Sequence, residues 1–516
     1  MNTQFSAEKD GATTAKYHDV IIIGSGISGI CAAIKLKEAK QDYIVLEKAA
    51  EVGGVWRENT YPDCACDVPS SLYSFSFAPN PNWQRVFAKQ GEIKTYCQDT
   101  AEKFGIMPNI HFQHELLESR WEASENLWYL KTTAGLFKSR FVIMACGPMH
   151  KPIYPNIDGL ASFTGKSFHS ATWDNDYDLT GKRVAVIGSG GSAIQFLPAI
   201  QPQVQALSLF QRTPPWVLPK ADITISPRWK NRFRRFPMVL SLFRKALYLQ
   251  FEFLNHNLKY KSFSTKLEKA AIKNINRGVK DPELRKKLLP DYALGCKRIL
   301  LSNDWYRALG KDNVDVLPGI TKIEGNKLTA SDGSTCEVDV IIFGTGFDVS
   351  NPPIGNIIYG VSGRRLGDLW AGSPQAYLGT MTEDCPNLFI TLGPNLYTYT
   401  SAFVIIEAQI KYICSAITKA SKKKIATIQV DPAASAALNK KMQHSLQSTV
   451  WNSGCSSYFI DKNGRNSINW PWTAFRMRRK LNDFRLSDYL THSDFTGPTF
   501  IILSGRINEF AEFYIE

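Results

Sequence analysis

Residues 19–29 read DVIIIGSGISG and residues 183–193 read RVAVIGSGGSA. In each, a run of β-branched apolar residues enters a glycine-rich turn, and an Ala/Ile-rich stretch of helical character follows. Strand, glycine turn and helix open a βαβ unit, in which turn backbone and helix N-terminus together receive a pyrophosphate. A third run, DVIIFGTGFD at 339–348, is again an apolar strand ending in glycines, where a parallel sheet places its ligand-facing turn. The repeat predicts an α/β fold with two Rossmann-like dinucleotide-binding domains.

In the first unit Gly24, Gly26 and Gly29 form GxGxxG, and the next strand, YIVLEK, brings Glu47 to the place where a carboxylate binds ribose hydroxyls. An ordinary glycine-rich turn is the competing reading. In the second unit Gly188, Gly190 and Ser192 form the turn, and the strand ALSLFQRT ends in Arg212 and Thr213. A carboxylate there would repel a 2′-phosphate, whereas a guanidinium grips one through paired hydrogen bonds; a plain surface arginine is the alternative. Opposite ribose readers in two units imply a flavoprotein with a nicotinamide reductant, FAD in the first and NADPH in the second. Gly53 and Gly54 follow the ribose carboxylate and let backbone lie against a flavin ring, with Trp56 and Tyr73 as walls or as plain core aromatics.

Composition sets the frame for these motifs. A chain of 516 residues with 44% hydrophobic and 21% charged residues is globular, with roughly three units at about 150 residues each. A formal net charge of +14 suits a phosphate-bearing cofactor, a nucleic acid or an anionic membrane. The ten cysteines are scattered, and the closest pair, Cys64 and Cys66, lacks the spacing of zinc ligands, so no metal is expected. Reduced thiols and a cytoplasmic location are the expectation. No run approaches the 18 or so apolar residues of a membrane span, and the opening residues lack the apolar stretch of an export signal.

The order of motifs predicts a disordered tail at 1–16, a FAD-binding domain built from 17–148 and 348–516, and an NADP-binding domain built from 149–213 and 291–347. Residues 214–290 read as a helical insertion. Within it, from Arg228 to Lys261, basic residues alternate with Phe, Leu, Tyr and Trp. Such a face can lie on anionic lipid, but the preferred reading is a helical subdomain whose aromatics face the second nucleotide domain. No nucleic-acid-binding module is present.

Two further stretches carry a family resemblance. FTGKSFHSATWD at 163–174 and GGVWRENTYPDCACD at 53–67 resemble the two fingerprints of type I Baeyer–Villiger monooxygenases. The chain is also similar to that family in FQRTPPW from Phe210, LGCKRILLSNDWY from Leu294 and WNSGCSSYFIDKNGRNSINWPW from Trp451. The resemblance implies an FAD- and NADPH-dependent enzyme that uses O₂ to convert a small-molecule ketone to an ester or lactone through a C4a-peroxyflavin, with sulfoxidation as a side activity. It implies that Lys297 holds NADP, that Arg298 lies by the flavin, and that Asp67 pairs with Arg298. Read alone, Lys297 and Arg298 are a solvated basic pair. His169 and Trp173 are attractive as an acid and an aromatic wall, but the resemblance implies that their fingerprint lies in the connection between the two nucleotide domains, and they are assigned to domain coupling.

Departures from the family pattern are Asp63, where Gly or Met is usual, the segment GPNLYTYTSAF at 393–403, which lacks the usual glycines and histidine, and Trp472 in place of a glycine. The rival readings are an N- or S-oxygenating flavin-containing monooxygenase and, from another class, a peripheral membrane-binding protein. A monomer or homodimer is expected.

Overall fold

The computed structural model describes residues 15–258, 261–349 and 351–493. Its first sheet grows outward from the apolar run at 19–23. Strand β1 (Lys16–Ile23) pairs in parallel with β2 (Tyr43–Leu46) on one side and with β6 (Gly135–Met144) on the other, Ile22 lying opposite Val45 and Ile143. Val20, Ile21 and Ile22 are wholly buried, as expected of a central parallel strand covered on both faces. Helix α1 (Ile27–Glu38) lays Ile30, Ala33 and Ile34 on one face of the sheet. The short β3 (Ile110–His111) extends the β2 edge, while β4 (Leu116–Glu122), β5 (Leu127–Thr132) and β6 form an antiparallel meander. Helices α2 (Val55–Glu58) and α3 (Gln90–Lys103) lie in the long connection after β2.

The second sheet is built from β7 (Lys166–His169), β8 (Arg183–Ile187) and β9 (Ala206–Phe210), with α4 (Ala193–Ile200) following the second glycine turn. A two-strand contact between β10 (Val217–Leu218) and β11 (Leu300–Leu301) closes the base of the helical region. That region comprises α5 (Pro227–Arg235), α6 (Pro237–Asn257), α7 (Lys261–Gly278) and α8 (Pro282–Leu288), after which α9 (Trp305–Leu309) leads into β12 (Val314–Leu317). An antiparallel trio, β13 (Ile320–Glu324), β14 (Lys327–Ala330) and β15 (Thr335–Glu337), precedes β16 (Val340–Phe343), and the parallel order is β12-β9-β8-β16-β7.

The chain then returns to the first sheet. β17 (Ile358–Tyr359) joins β4, and after α10 (Leu366–Trp370) the strand β18 (Leu388–Ile390) pairs in parallel with Val142–Met144 of β6. Helix α11 (Ala402–Lys423) packs on α1, and β19 (Ile425–Val430), α12 (Pro432–Gln447), α13 (Ala474–Lys480) and β20 (Tyr489–Ser493) complete the described chain. α12 starts where Asp431 accepts a hydrogen bond from the Ala433 amide at 2.9 Å ahead of Pro432 in the first turn.

Three expectations change with the fold. Lys16, placed in the tail, opens β1, and the rest of the expected tail, residues 1–14, lies outside the described residues. Cys296 and Cys455 form a disulfide across 159 positions, so the cysteines are not all reduced thiols; eight are free. The aromatics of the helical insertion do not all face the second sheet. On α5 Phe233 is buried and Trp229 exposed, and on α6 Phe243 and Phe253 are exposed, because α6 is apolar around much of its circumference and only one side of it meets the body. Among the described residues, no helix is long and apolar enough to cross a membrane.

Candidate active site

The two glycine turns sit at the carboxyl ends of β1 and β8. Gly24 adopts φ +100°, and a Cβ there would meet the Ala145 carbonyl oxygen at 2.9 Å; Gly188 repeats the arrangement with φ +101° and the Gly344 oxygen at 2.6 Å. Gly29 packs so closely on the turn that a Cβ would lie 1.8 Å from the Gly24 oxygen. At Gly26 the requirement differs, since the nearest atom a Cβ would meet is the Cα of Gly54, at 3.6 Å. Gly54, at φ +54°, faces Gly26 across the N-terminus of α1. Two glycines from separate segments thus line a backbone cradle at a helix N-terminus, which fits a pyrophosphate.

Glu47, at the end of β2, is buried. Its carboxylate accepts from the Ser25 amide at 2.7 Å, the Ser25 hydroxyl at 2.8 Å and the Ala49 amide at 3.0 Å, and it pairs with Arg57 at 3.3 Å. Ser25 and Arg57 carry no signal of this role in the sequence; both lie inside the glycine-rich motifs, and only the fold shows that they hold this carboxylate. Trp56, in α2, donates its indole N–H to the Tyr73 hydroxyl at 3.1 Å, and the two rings meet edge to face. Tyr73 in turn packs on Phe403, so the three rings form one aromatic cluster at the border of the buried core.

In the second unit Gly190 and Ser192 lead into α4, and the Ser189 hydroxyl donates to the Thr213 carbonyl at 3.4 Å. Arg212 is exposed just past β9. Lys297 lies over the Tyr292 ring, and burial, then the nearby Arg212 guanidinium, pull its ammonium below the ordinary value. Among the described residues neither cation has a salt-bridge partner. Two cations brought together without a salt-bridged acid form a site for an anion, and a 2′-phosphate is an anion of suitable charge.

The two halves meet at Arg298. Its Nε donates to Asp67 at 3.1 Å, its Nη2 makes a second, shorter contact with the same carboxylate oxygen, and its Nη1 donates to the Tyr397 hydroxyl at 3.2 Å. Burial works to raise the Asp67 carboxyl, but Arg298 outweighs it and holds the group below the usual carboxylate range. Asp67, then Tyr397, keep the guanidinium permanently charged. Tyr397 is fixed from behind by main-chain bonds, its amide donating to the Ile468 carbonyl at 3.0 Å and its carbonyl accepting from Trp470 at 2.7 Å. Beside it, the Thr398 hydroxyl and both side-chain amide atoms of Asn469 are buried with no hydrogen-bond partner among the described residues. Buried polar atoms left in that state are completed by water or a bound group.

Other features of the sequence also find their places. Asp63 keeps the left-handed backbone, φ +63°, that explains why glycine suits this position, and it pairs with Lys89 at 2.7 Å. Asn175 donates to Thr60 at 2.9 Å and the Gln195 side chain accepts from the Ala65 amide at 2.7 Å, tying the segment before Asp67 to the second unit. His169 is wholly buried between Tyr154 and Phe347, and its Nδ1 accepts from the Ala171 amide at 3.0 Å; burial lowers its pKa. Trp173 packs on Phe168 and Phe196. Trp472 packs against Trp470, and its carbonyl accepts from Asn255 of α6 at 3.2 Å. The disulfide partner Cys296 immediately precedes Lys297 and Arg298.

Comparison with known proteins gives the family of the chain. A family model described as pyridine nucleotide-disulphide oxidoreductase matches residues 21–261. A Baeyer–Villiger monooxygenase of Pseudomonas aeruginosa is 43% identical over 482 residues, covering 92% of either chain, and one of Streptomyces coelicolor is 42% identical over 479 residues, covering 91% of this chain and 92% of the relative. Among solved structures, cyclohexanone monooxygenase from Rhodococcus sp. Phi1 bound to NADP⁺ superposes with TM-score 0.84 at 25% identity, covering 93% of this chain and all of that one. A complex of OTEMO with FAD and NADP gives TM-score 0.82 at 26% identity, covering 91% and 97%.

Proposed function

The chain belongs to the Baeyer–Villiger monooxygenases, and from that premise we infer how its own residues serve an FAD- and NADPH-dependent oxidation of ketones to esters or lactones. The cofactors, when bound, supply hydride transfer and the activation of O₂. The protein supplies binding, orientation and charge. Gly24, Gly26, Gly29 and Gly54 form the cradle for the FAD pyrophosphate, and Glu47, held by Ser25, reads the adenosine ribose. Trp56 and Tyr73 wall the ring system. Gly188, Gly190, Ser192 and Thr213 form the NADP turn, while Arg212 and Lys297 take the 2′-phosphate.

Arg298 is the catalytic residue of this reading. Oxygen insertion next to a carbonyl builds negative charge on oxygen, and a donor fixed in place before that charge appears stabilises it without reorganisation. Asp67 positions the guanidinium from one side, Tyr397 from another, and Tyr458 also lies against it, so the charge is fixed in place before the reaction builds its own. The single observation that carries the assignment is the Asp67–Arg298 pair, which joins residues 231 apart in sequence. The division of the chain into domains at 17–148 with 348–516, and 149–213 with 291–347, belongs to the same reading, as does operation in the cytoplasm.

The test supplies the purified enzyme with NADPH, ¹⁸O₂ and a panel of ketones beside a thioether. Label in the new ring or ester oxygen of a ketone product supports the reading. Exclusive oxidation of the thioether, with every ketone untouched, refutes it in favour of a heteroatom-oxygenating enzyme.

A further inference from the structure

Helices α5 and α6 leave one face uncovered. α6 turns Leu240 and Leu247 into the body, and Arg244 reaches inward to the Ser71 carbonyl at 2.8 Å and the Ser74 hydroxyl at 3.0 Å. Met238, Leu242, Leu249 and Phe253 recur at helical spacing on the opposite side. With Trp229 of α5 and Phe475 of α13, these six side chains are between 48% and 74% exposed. Phe475 belongs to the same surface because its amide donates to Glu252 of α6 at 2.6 Å. At about 1.5 Å per residue, Met238 to Phe253 carry this stripe over about 23 Å of α6. A soluble monomer seldom exposes contiguous apolar surface on that scale unless something docks there.

Charge decides what docks. Residues 227–258 hold seven Lys and Arg and a single acidic residue, Glu252, which is partly buried and occupied with the Phe475 amide. Arg228, Arg232, Arg235 and Lys245 are exposed, and among the described residues none of them forms a salt bridge. Arg232 lies 5.2 Å from the Trp229 ring and Arg235 lies 5.6 Å from the Phe236 ring, so cation and aromatic share the same border. A second copy of the chain would meet this face with the same acid-poor, cationic surface. A bilayer rich in anionic headgroups answers both features at once, with phosphates for the arginines and an acyl boundary for the stripe.

We propose that the outer face of α5 and α6, with the start of α13, is a docking surface for an anionic lipid bilayer. Met238, Leu242, Leu249 and Phe253 enter the headgroup boundary, Trp229 sits at its polar edge, and the arginines reach the phosphates beside them.

The test uses the full-length holoenzyme and sedimentation with vesicles of phosphatidylcholine, either pure or containing about 30% phosphatidylglycerol, enough to give an anionic surface. Binding to the anionic vesicles, little to the neutral ones, and weakening by added salt are expected. Two variants, Met238→Asp/Leu249→Asp/Phe253→Asp and Arg232→Glu/Arg235→Glu, should each lose at least about tenfold in partitioning. Their flavin content and vesicle-free NADPH oxidation should match the parent, which shows that the fold is intact. Failure to bind either vesicle, equal binding to both, or undiminished binding by the variants overturns the proposal. So does a vesicle-independent dimer that the stripe variant dissolves, since a second copy then covers the face.

Discussion

Arg298 donates from Nη1 to the Tyr397 hydroxyl at 3.2 Å while the rest of its guanidinium is held by Asp67. The phenol therefore accepts from the arginine, and its own proton is free to point elsewhere. Arg298→Ala should leave reduction of the flavin by NADPH near the parental rate and lower ester formation by about 10²–10³, the loss typical of one oxyanion donor. Tyr397→Phe removes one neutral partner of a charged group and should cost about 1.5–3 kcal/mol at most in ester formed per NADPH, with the balance diverted to hydrogen peroxide. Product and peroxide yields measured together decide it; parental coupling in Tyr397→Phe removes the tyrosine from the site.

Asp67 and Arg298 also set a pH dependence. Because Arg298 holds the Asp67 carboxyl below its ordinary value near 4, the stability that this carboxylate contributes is present above that value and is lost as pH falls through the lower, folded one. The pair is intact throughout the neutral range. An acid limb in ester formation with a midpoint above about pH 5 should therefore be unchanged in shape in Asp67→Asn, although its height falls. Disappearance of such a limb in that variant would show that Asp67 titrates near neutrality, contrary to the lowering that Arg298 imposes.

Arg212 and Lys297 form a cationic pair without a salt-bridged acid, so cofactor choice should follow them. Arg212→Ala should lower kcat/KM for NADPH by about 1.5–3 kcal/mol, the scale of a charged hydrogen bond, and leave NADH nearly untouched. An equal loss with both nucleotides would place Arg212 outside the 2′-phosphate site.

The first glycine turn offers a paired test. A methyl at Gly29 would lie 1.8 Å from the Gly24 oxygen, so Gly29→Ala should not fold, whereas at Gly26 the nearest atom is 3.6 Å away. Gly26→Ala should fold with near-parental circular dichroism yet lose FAD, because its methyl occupies the space beside Gly54. Full flavin absorbance in folded Gly26→Ala would refute the cradle.

The parts of this site that sequence makes legible are the ones written in local motifs. Gly24 to Gly29, Glu47 and Arg212 each announce themselves within a few residues of a strand end, whereas only the family resemblance singles out Lys297 and Arg298 and links Asp67 to Arg298. What stays hidden depends on contacts between distant segments. Tyr397 lies 99 positions from Arg298 in a stretch notable only for lacking the usual glycines. The Cys296–Cys455 bond closes 159 positions with no spacing signal at either end. The direction in which α6 faces is not legible because Leu, Phe and Tyr surround the helix almost evenly, which leaves periodicity no side to select. The antiparallel meander of β4 to β6 carries no motif and emerges only from pairing.

The return of the chain to its first sheet bears on how the protein is made. Val142–Met144 of β6 gain their second neighbour only when Leu388–Ile390 arrive as β18. Every strand of the second parallel sheet lies within residues 166–343, so that sheet can close first. At about 5–20 residues per second, the apolar edge of β6 stays open for roughly 10 to 50 seconds during synthesis. An unpaired apolar edge on a nascent chain is a site for intermolecular strand pairing. That interval is therefore one over which chaperone supply and the crowding of ribosomes on one message act on the yield of folded enzyme.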